Sequence, residues 1–122
     1  MIVLEKKFRL GSLAERKWSN IMTVFCFDID GTICTNTDGD YTKAVPFNER
    51  IVHLNSLFDS GHVVKMFTAR GSTTGLNWEA ETIEQLAKWG VRYHELILGK
   101  PYADIFIDDK AVGSEVYDWG VL

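Results

Sequence analysis

The apolar run at residues 23–27, TVFCF, leads directly into two carboxylates, Asp28 and Asp30, within the stretch VFCFDIDGT. A short continuous apolar run is typical of a strand in a parallel sheet that is covered on both faces. Ionised carboxylates are rarely buried, so both acids are expected just beyond the end of this strand. The junction therefore predicts a parallel sheet with a polar site at one edge.

Three further apolar runs are predicted to be strands, and they occupy residues 62–67 (HVVKMF), 95–98 (ELIL) and 104–107 (DIFI). Two helical patterns separate the strands. The first, residues 46–61, places apolar side chains on one face and ends at a glycine: Ile51, Leu54, Leu57, Phe58 and Gly61. The second, residues 77–90, has Asn77 as its predicted N-cap, an apolar face and a terminal glycine: Ala80, Ile83, Leu86, Ala87 and Gly90. This alternation predicts an α/β fold with a doubly wound, Rossmann-like parallel sheet.

Length and charge limit the class of protein. A chain of 122 residues is expected to form one domain, and no apolar run is long enough to span a membrane. The first 22 residues carry five basic and two acidic side chains, so the remaining hundred hold a net charge of −7. An acidic body argues against nucleic-acid binding. Without a signal-peptide pattern or a disulfide framework, the chain is predicted to be cytoplasmic.

The N-terminal segment is predicted to be separate from the rest of the chain. Ser12 and Glu15 have the spacing of a capping box, which favours a short amphipathic helix. Residues 1–21 are therefore interpreted as an accessory extension, and residues 22–122 as the domain that carries the site.

Each predicted strand leads into polar side chains. Thr68 and Arg70 follow the second strand, Lys100 follows the third, and Asp108 and Asp109 follow the fourth. Ligands of open parallel sheets bind beyond the carboxyl ends of the strands, so these residues are expected to converge with Asp28 and Asp30.

The chemistry that suits this set is attack on a phosphate ester. Asp28 is the candidate nucleophile and would form an aspartyl-phosphate, while Asp30 would act as general acid and base. Thr68 would donate a hydrogen bond to the phosphoryl group, and Lys100 would neutralise its developing charge. A carboxylate that approaches a phosphate requires a hard cation, so Mg²⁺ is the predicted cofactor, with Asp108 and Asp109 completing its shell.

Four motifs in order, namely DIDGT, the strand-terminal Thr68, Lys100 and IDDKA, resemble those of the haloacid dehalogenase (HAD) superfamily of phosphohydrolases. The resemblance covers residues 22–113. It implies that Asp30 also binds the metal through its backbone carbonyl, and it leaves open whether Asp108 or Asp109 contacts the ion directly. Lys110 is the rival to Lys100 as the phosphate partner.

The spacing of the motifs leaves no room for a cap domain, and the TAR and GKPYADIFIDDKA stretches resemble a capless group associated with surface-polysaccharide synthesis. The resemblance implies a small phosphorylated metabolite as substrate, with a sugar phosphate favoured. Tyr41 and Trp78 are candidate substrate contacts that would close the site, or a neighbouring subunit of a homo-oligomer closes it instead. Arg70 is either a substrate ligand or an ion-pair partner of the acidic cluster.

Two other functions are compatible with this pattern. A receiver-like phospho-acceptor also gathers Asp, Thr and Lys at strand ends, although its acidic pair comes before the phosphorylated aspartate along the chain. A catalytically silent HAD-like binding subunit is the other alternative.

Overall fold

The structure is a computed structural model that describes residues 21–120. Three parallel strands form one sheet in the order β1-β2-β3: β1 is Val24–Asp28, β2 is Val63–Thr68 and β3 is Glu95–Leu98. Helix α1, Asn48–Asp59, connects β1 to β2, and helix α2, Glu79–Lys88, connects β2 to β3. The predicted parallel α/β architecture is confirmed, and the short helix predicted around residues 12–18 lies outside the described residues.

The sheet is covered more heavily on one face than on the other. Along β2, Val64, Met66 and Thr68 are buried, while the alternate residues Lys65 and Phe67 are partly exposed. Two successive right-handed crossovers in the same direction place both helices on one face. The expectation of a doubly wound sheet covered on both faces is therefore wrong for the described residues, because both helices pack against the same face.

Residues 104–107 do not form the predicted fourth strand. They form no regular secondary structure, and Ile105 and Ile107 are 77% and 96% exposed. An apolar run forms a strand only where a neighbouring strand can pair with its backbone and one of its faces can be buried. In the second helix, Leu86 is buried as predicted, but Ile83 is 44% exposed and Thr82 is buried in its place.

The core lies between the sheet and the two helices. Its fully buried members include Ile29, Leu54, Val64, Met66 and Leu86. At one end, Tyr117 and Trp119 of the C-terminal segment pack against Phe27 and His53. Within residues 21–120, neither helix is long and apolar enough to cross a membrane.

We expect His53 to make the fold sensitive to acid. The side chain is 2% exposed, its Nε2 lies 2.9 Å from the Tyr117 hydroxyl, and burial lowers the pKa of His53 from 6.5 to about 4. The pKa of His53 is lower in the folded than in the unfolded protein. The contribution of neutral His53 to folding stability is therefore fully present above pH 6.5 and is lost as the pH falls towards 4. Between pH 7 and pH 5 the loss is about 2 kcal/mol, or roughly 5–10 °C in Tm.

Thermal unfolding of the wild type and of His53→Gln at both pH values measures this loss. The variant should show a smaller drop in Tm than the wild type. Equal drops would show that other groups cause the acid sensitivity.

Candidate active site

The carboxyl ends of the three strands bring Asp28, Thr68 and Lys100 together. Asp28 is the last residue of β1, Thr68 is the last residue of β2, and Lys100 follows β3 by two residues. The Lys100 backbone amide donates to the Thr68 carbonyl at 3.0 Å, and Lys100 Nζ lies 3.4 Å from Asp28 Oδ1. Parallel register thus places a carboxylate, a hydroxyl and an ammonium at one edge of the sheet.

Asp28 is held by two neighbours and remains partly accessible. Its side chain is 30% exposed, Lys100 contacts Oδ1, and the Thr32 hydroxyl donates to Oδ2 at 3.3 Å. Burial raises the pKa of Asp28 above its usual value, although the charge of Lys100 acts in the opposite direction. A carboxylate that has a raised pKa and is still accessible to solvent is typical of a functional site.

We expect Asp28→Asn to stabilise the protein at neutral pH. Because the folded pKa of Asp28 is raised, stability falls as the pH rises from the unfolded value through the folded value, and the ionised side chain costs free energy at pH 7. The variant should have a Tm a few degrees higher than that of the wild type at pH 7. The gain should shrink near pH 3.5, where most of the carboxyl is protonated in both states.

Calorimetry at the two pH values tests this expectation, with Asp59→Asn as the control. Asp59 is an exposed helix residue whose carboxylate pairs with Arg92 at 2.7 Å. A lower Tm of Asp28→Asn at pH 7 would show that the ionised Asp28 carboxylate does not destabilise the folded protein.

Thr68 is almost completely buried, with 1% of its surface exposed. Its hydroxyl accepts a hydrogen bond from the Arg70 backbone amide at 3.1 Å. A hydroxyl that accepts in this bond keeps its own hydrogen to donate to another oxygen.

Asp30 forms a bidentate ion pair with Arg70. Arg70 Nε lies 2.9 Å from Oδ2 of Asp30, and Nη2 lies 2.9 Å from Oδ1. The third guanidinium nitrogen, Nη1, donates to the Thr82 hydroxyl at 3.2 Å, which explains why Thr82 is buried. With 1% of its side chain exposed, Arg70 is an ion-pair partner in this structure rather than a group that faces solvent.

Aromatic side chains cover this ion pair. The Arg70 guanidinium carbon lies 4.7 Å from the centre of the Tyr41 ring, and Tyr41 packs edge-on against Trp78 at 4.9 Å. Gln85 of α2 donates to the Tyr41 carbonyl at 2.8 Å, which fixes the short 3₁₀ turn Tyr41–Lys43. The structure therefore places Tyr41 over the guanidinium that pairs with Asp30, and Trp78 against Tyr41.

Asp108 and Asp109 are not brought into this group. Both are exposed: Asp108 accepts from the Lys110 backbone amide at 2.9 Å, and Asp109 pairs with the Lys110 ammonium at 3.3 Å. That backbone hydrogen bond lowers the pKa of Asp108. Across residues 21–120, no three His, Cys, Asp or Glu side chains are grouped so that they could hold a metal ion.

The segment that carries these two acids nevertheless starts beside the site. The Lys100 ammonium, which pairs with Asp28, lies 4.7 Å from the centre of the Phe106 ring.

Two residues at the site were missed in the sequence. Thr32 follows Asp28 by four positions, which in a tight turn returns its hydroxyl to the carboxylate, so its spacing is a usable signal. Arg50, from the middle of the chain, donates a hydrogen bond to the Thr32 carbonyl at 2.9 Å. No sequence pattern indicates that contact.

Comparison with known proteins supports the fold alone. No family model matches the sequence, and no curated protein matches it. A crystal structure of a structural-genomics target from Vibrio cholerae resembles the chain with a TM-score of 0.68 and 27% sequence identity, over 77% of this chain and 85% of that chain. This similarity is consistent with a small Rossmann-like α/β fold.

Proposed function

We propose that the protein is a Mg²⁺-dependent phosphatase of the HAD type, without a cap domain, that hydrolyses a small phosphorylated metabolite through an aspartyl-phosphate. The observation that carries the proposal is the accessible Asp28 carboxylate, held between Lys100 and Thr32 at the carboxyl edge of the sheet. The order of the four sequence motifs adds support. A sugar phosphate is the favoured substrate class, on the resemblance of the TAR and GKP stretches alone.

In the first step, a carboxylate oxygen of Asp28 attacks the phosphorus atom and the ester P–O bond breaks. Lys100, within 3.4 Å of Asp28, stabilises the charge on the transferring phosphoryl group. The Thr68 hydroxyl donates to one of its oxygens. Water then attacks the aspartyl-phosphate, inorganic phosphate leaves, and Asp28 is regenerated.

Asp30 is proposed to give a proton to the leaving alkoxide and to take one from the attacking water. Both of its oxygens accept hydrogen bonds from Arg70. Arg70 therefore fixes the orientation of the Asp30 carboxyl group.

Mg²⁺ belongs to the proposal through the resemblance, with Asp28, the Asp30 carbonyl and Asp108 or Asp109 as its ligands. The described residues do not assemble such a set, because Asp108 and Asp109 lie in the exposed turn. A bound ion would neutralise phosphate charge.

Phosphate release from sugar phosphates, nucleotides and 4-nitrophenyl phosphate, measured with Mg²⁺ and with chelator, tests the proposal. Release that requires Mg²⁺ is the expected result, with the fastest turnover on a sugar phosphate. Release that persists in chelator would remove the metal from the proposal. No release from any substrate would favour a binding subunit, and a phospho-enzyme that lasts for minutes would favour a receiver-like role.

A further inference from the structure

We propose that Arg50 is a positioning residue for Asp28, and that it acts by clamping the Gly31–Thr32 turn against the C-terminal segment, residues 114–119. The role rests on the proposed function, because it presumes that Asp28 is the nucleophile. Arg50 and residues 114–119 lie outside all four sequence motifs.

The first contact runs from Arg50 to the nucleophile through one residue. Arg50 Nη1 donates to the Thr32 carbonyl at 2.9 Å, and the Thr32 hydroxyl donates to Asp28 Oδ2 at 3.3 Å. Holding the Thr32 backbone fixes the direction from which its hydroxyl meets the carboxylate. Arg50 therefore acts on the orientation of Asp28 without touching it.

Contacts with three side chains hold the Arg50 guanidinium in place. Its guanidinium carbon lies 4.8 Å from the Trp119 ring centre and 5.2 Å from that of Phe47, and Nη2 lies 3.5 Å from Glu115. Only 20% of the Arg50 side chain is exposed, against 86% of Glu115. Stacking between two rings, rather than the exposed ion pair, is the contact expected to fix the guanidinium.

A second contact holds the neighbouring carbonyl. Ser114 Oγ donates to the Gly31 carbonyl at 3.2 Å, while Trp119 Nε1 donates to the Ser114 carbonyl at 2.9 Å. Gly31 has a φ of +82°, and a Cβ on it would lie 2.7 Å from Asn36 Nδ2, so the turn itself is tight. Two consecutive carbonyls are thus anchored by groups far away in sequence.

The same C-terminal segment supports the strand that carries Asp28. Tyr117 and Trp119 pack against Phe27, with ring centres 6.1 and 5.7 Å from it. The segment therefore contacts both the end of β1, immediately before the nucleophile, and the turn after it.

The test compares Arg50→Gln and Arg50→Lys with a matched control, Arg92→Gln, which removes an exposed arginine from its pair with Asp59. Two measurements are made on the full chain: amide hydrogen exchange of the peptide spanning residues 29–35, and kcat and KM for the best phosphate ester. Arg50→Gln should exchange faster in this peptide and lose about 10–100-fold in kcat, with KM changed less than about threefold. Arg50→Lys should recover part of kcat, and Arg92→Gln should match the wild type.

Unchanged exchange at residues 29–35 in Arg50→Gln would overturn the clamp. Faster exchange with an unchanged kcat would overturn the positioning role while leaving the clamp as a purely structural feature. A wild type that releases no phosphate would count against the proposed function, and the exchange measurement would then decide the clamp by itself.

Discussion

Replacement of Asp28 by asparagine is expected to lower kcat by at least about 10³-fold, because the amide cannot form the aspartyl-phosphate. The substitution keeps the shape of the side chain and removes the charge that meets Lys100 at 3.4 Å. Phosphate release at saturating substrate with Mg²⁺ measures the loss. Together with the higher Tm expected for the same variant, it would show a residue kept for activity at a cost in stability.

Asp59→Asn is the matched control for this loss, since it makes the same change on an exposed face of α1. It should retain wild-type turnover. Full activity of a folded Asp28→Asn protein would assign the nucleophile to another group and remove the reason for the proposed mechanism.

Replacement of Lys100 by methionine is expected to lower kcat/KM by about 10²–10³-fold, since one preorganised positive charge is removed from the phosphoryl group. The pH dependence should change as well. Asp28 must be ionised to attack, and the charge of Lys100 lowers the pKa of Asp28 against the effect of burial. Without Lys100 the pKa rises further, so the acidic limb of kcat/KM moves to higher pH.

Lys110→Met provides the control, because Lys110 was the rival phosphate partner in the sequence. In the structure its ammonium pairs with Asp109 in the exposed turn, at 86% side-chain exposure. Activity within about twofold of the wild type is the expected result. A larger loss for Lys110→Met than for Lys100→Met would reverse the assignment of the two lysines.

Local patterns in the sequence were sufficient to predict the three strands, the two helices and the position of Asp28, Thr68 and Lys100 at one edge. Parallel strands end together, so a polar residue at each strand end is placed by topology alone. The same reasoning was wrong for residues 104–107, because an apolar run does not indicate whether a partner strand is present. It was also wrong for Ile83, since the buried Arg70 guanidinium requires the Thr82 hydroxyl on that side of α2.

Contacts between distant segments could not be read from the sequence. The choice between the two roles of Arg70 depended on its 2.9 Å distances to Asp30, across 40 residues of chain. The contact of Arg50 with Thr32, supported by residues 114–119, likewise depends on tertiary packing. Such contacts produce no periodic pattern and no characteristic spacing that could be recognised in a single sequence.

Trapping of the phospho-enzyme would identify the nucleophile. Wild-type protein is incubated with acetyl phosphate and Mg²⁺ and treated with borohydride, which reduces an aspartyl-phosphate to homoserine, and the peptides are then mapped by mass spectrometry. The account predicts reduction at residue 28 alone, and none in Asp28→Asn. Steady phosphate release with residue 28 unmodified, or with another aspartate reduced in its place, would contradict it.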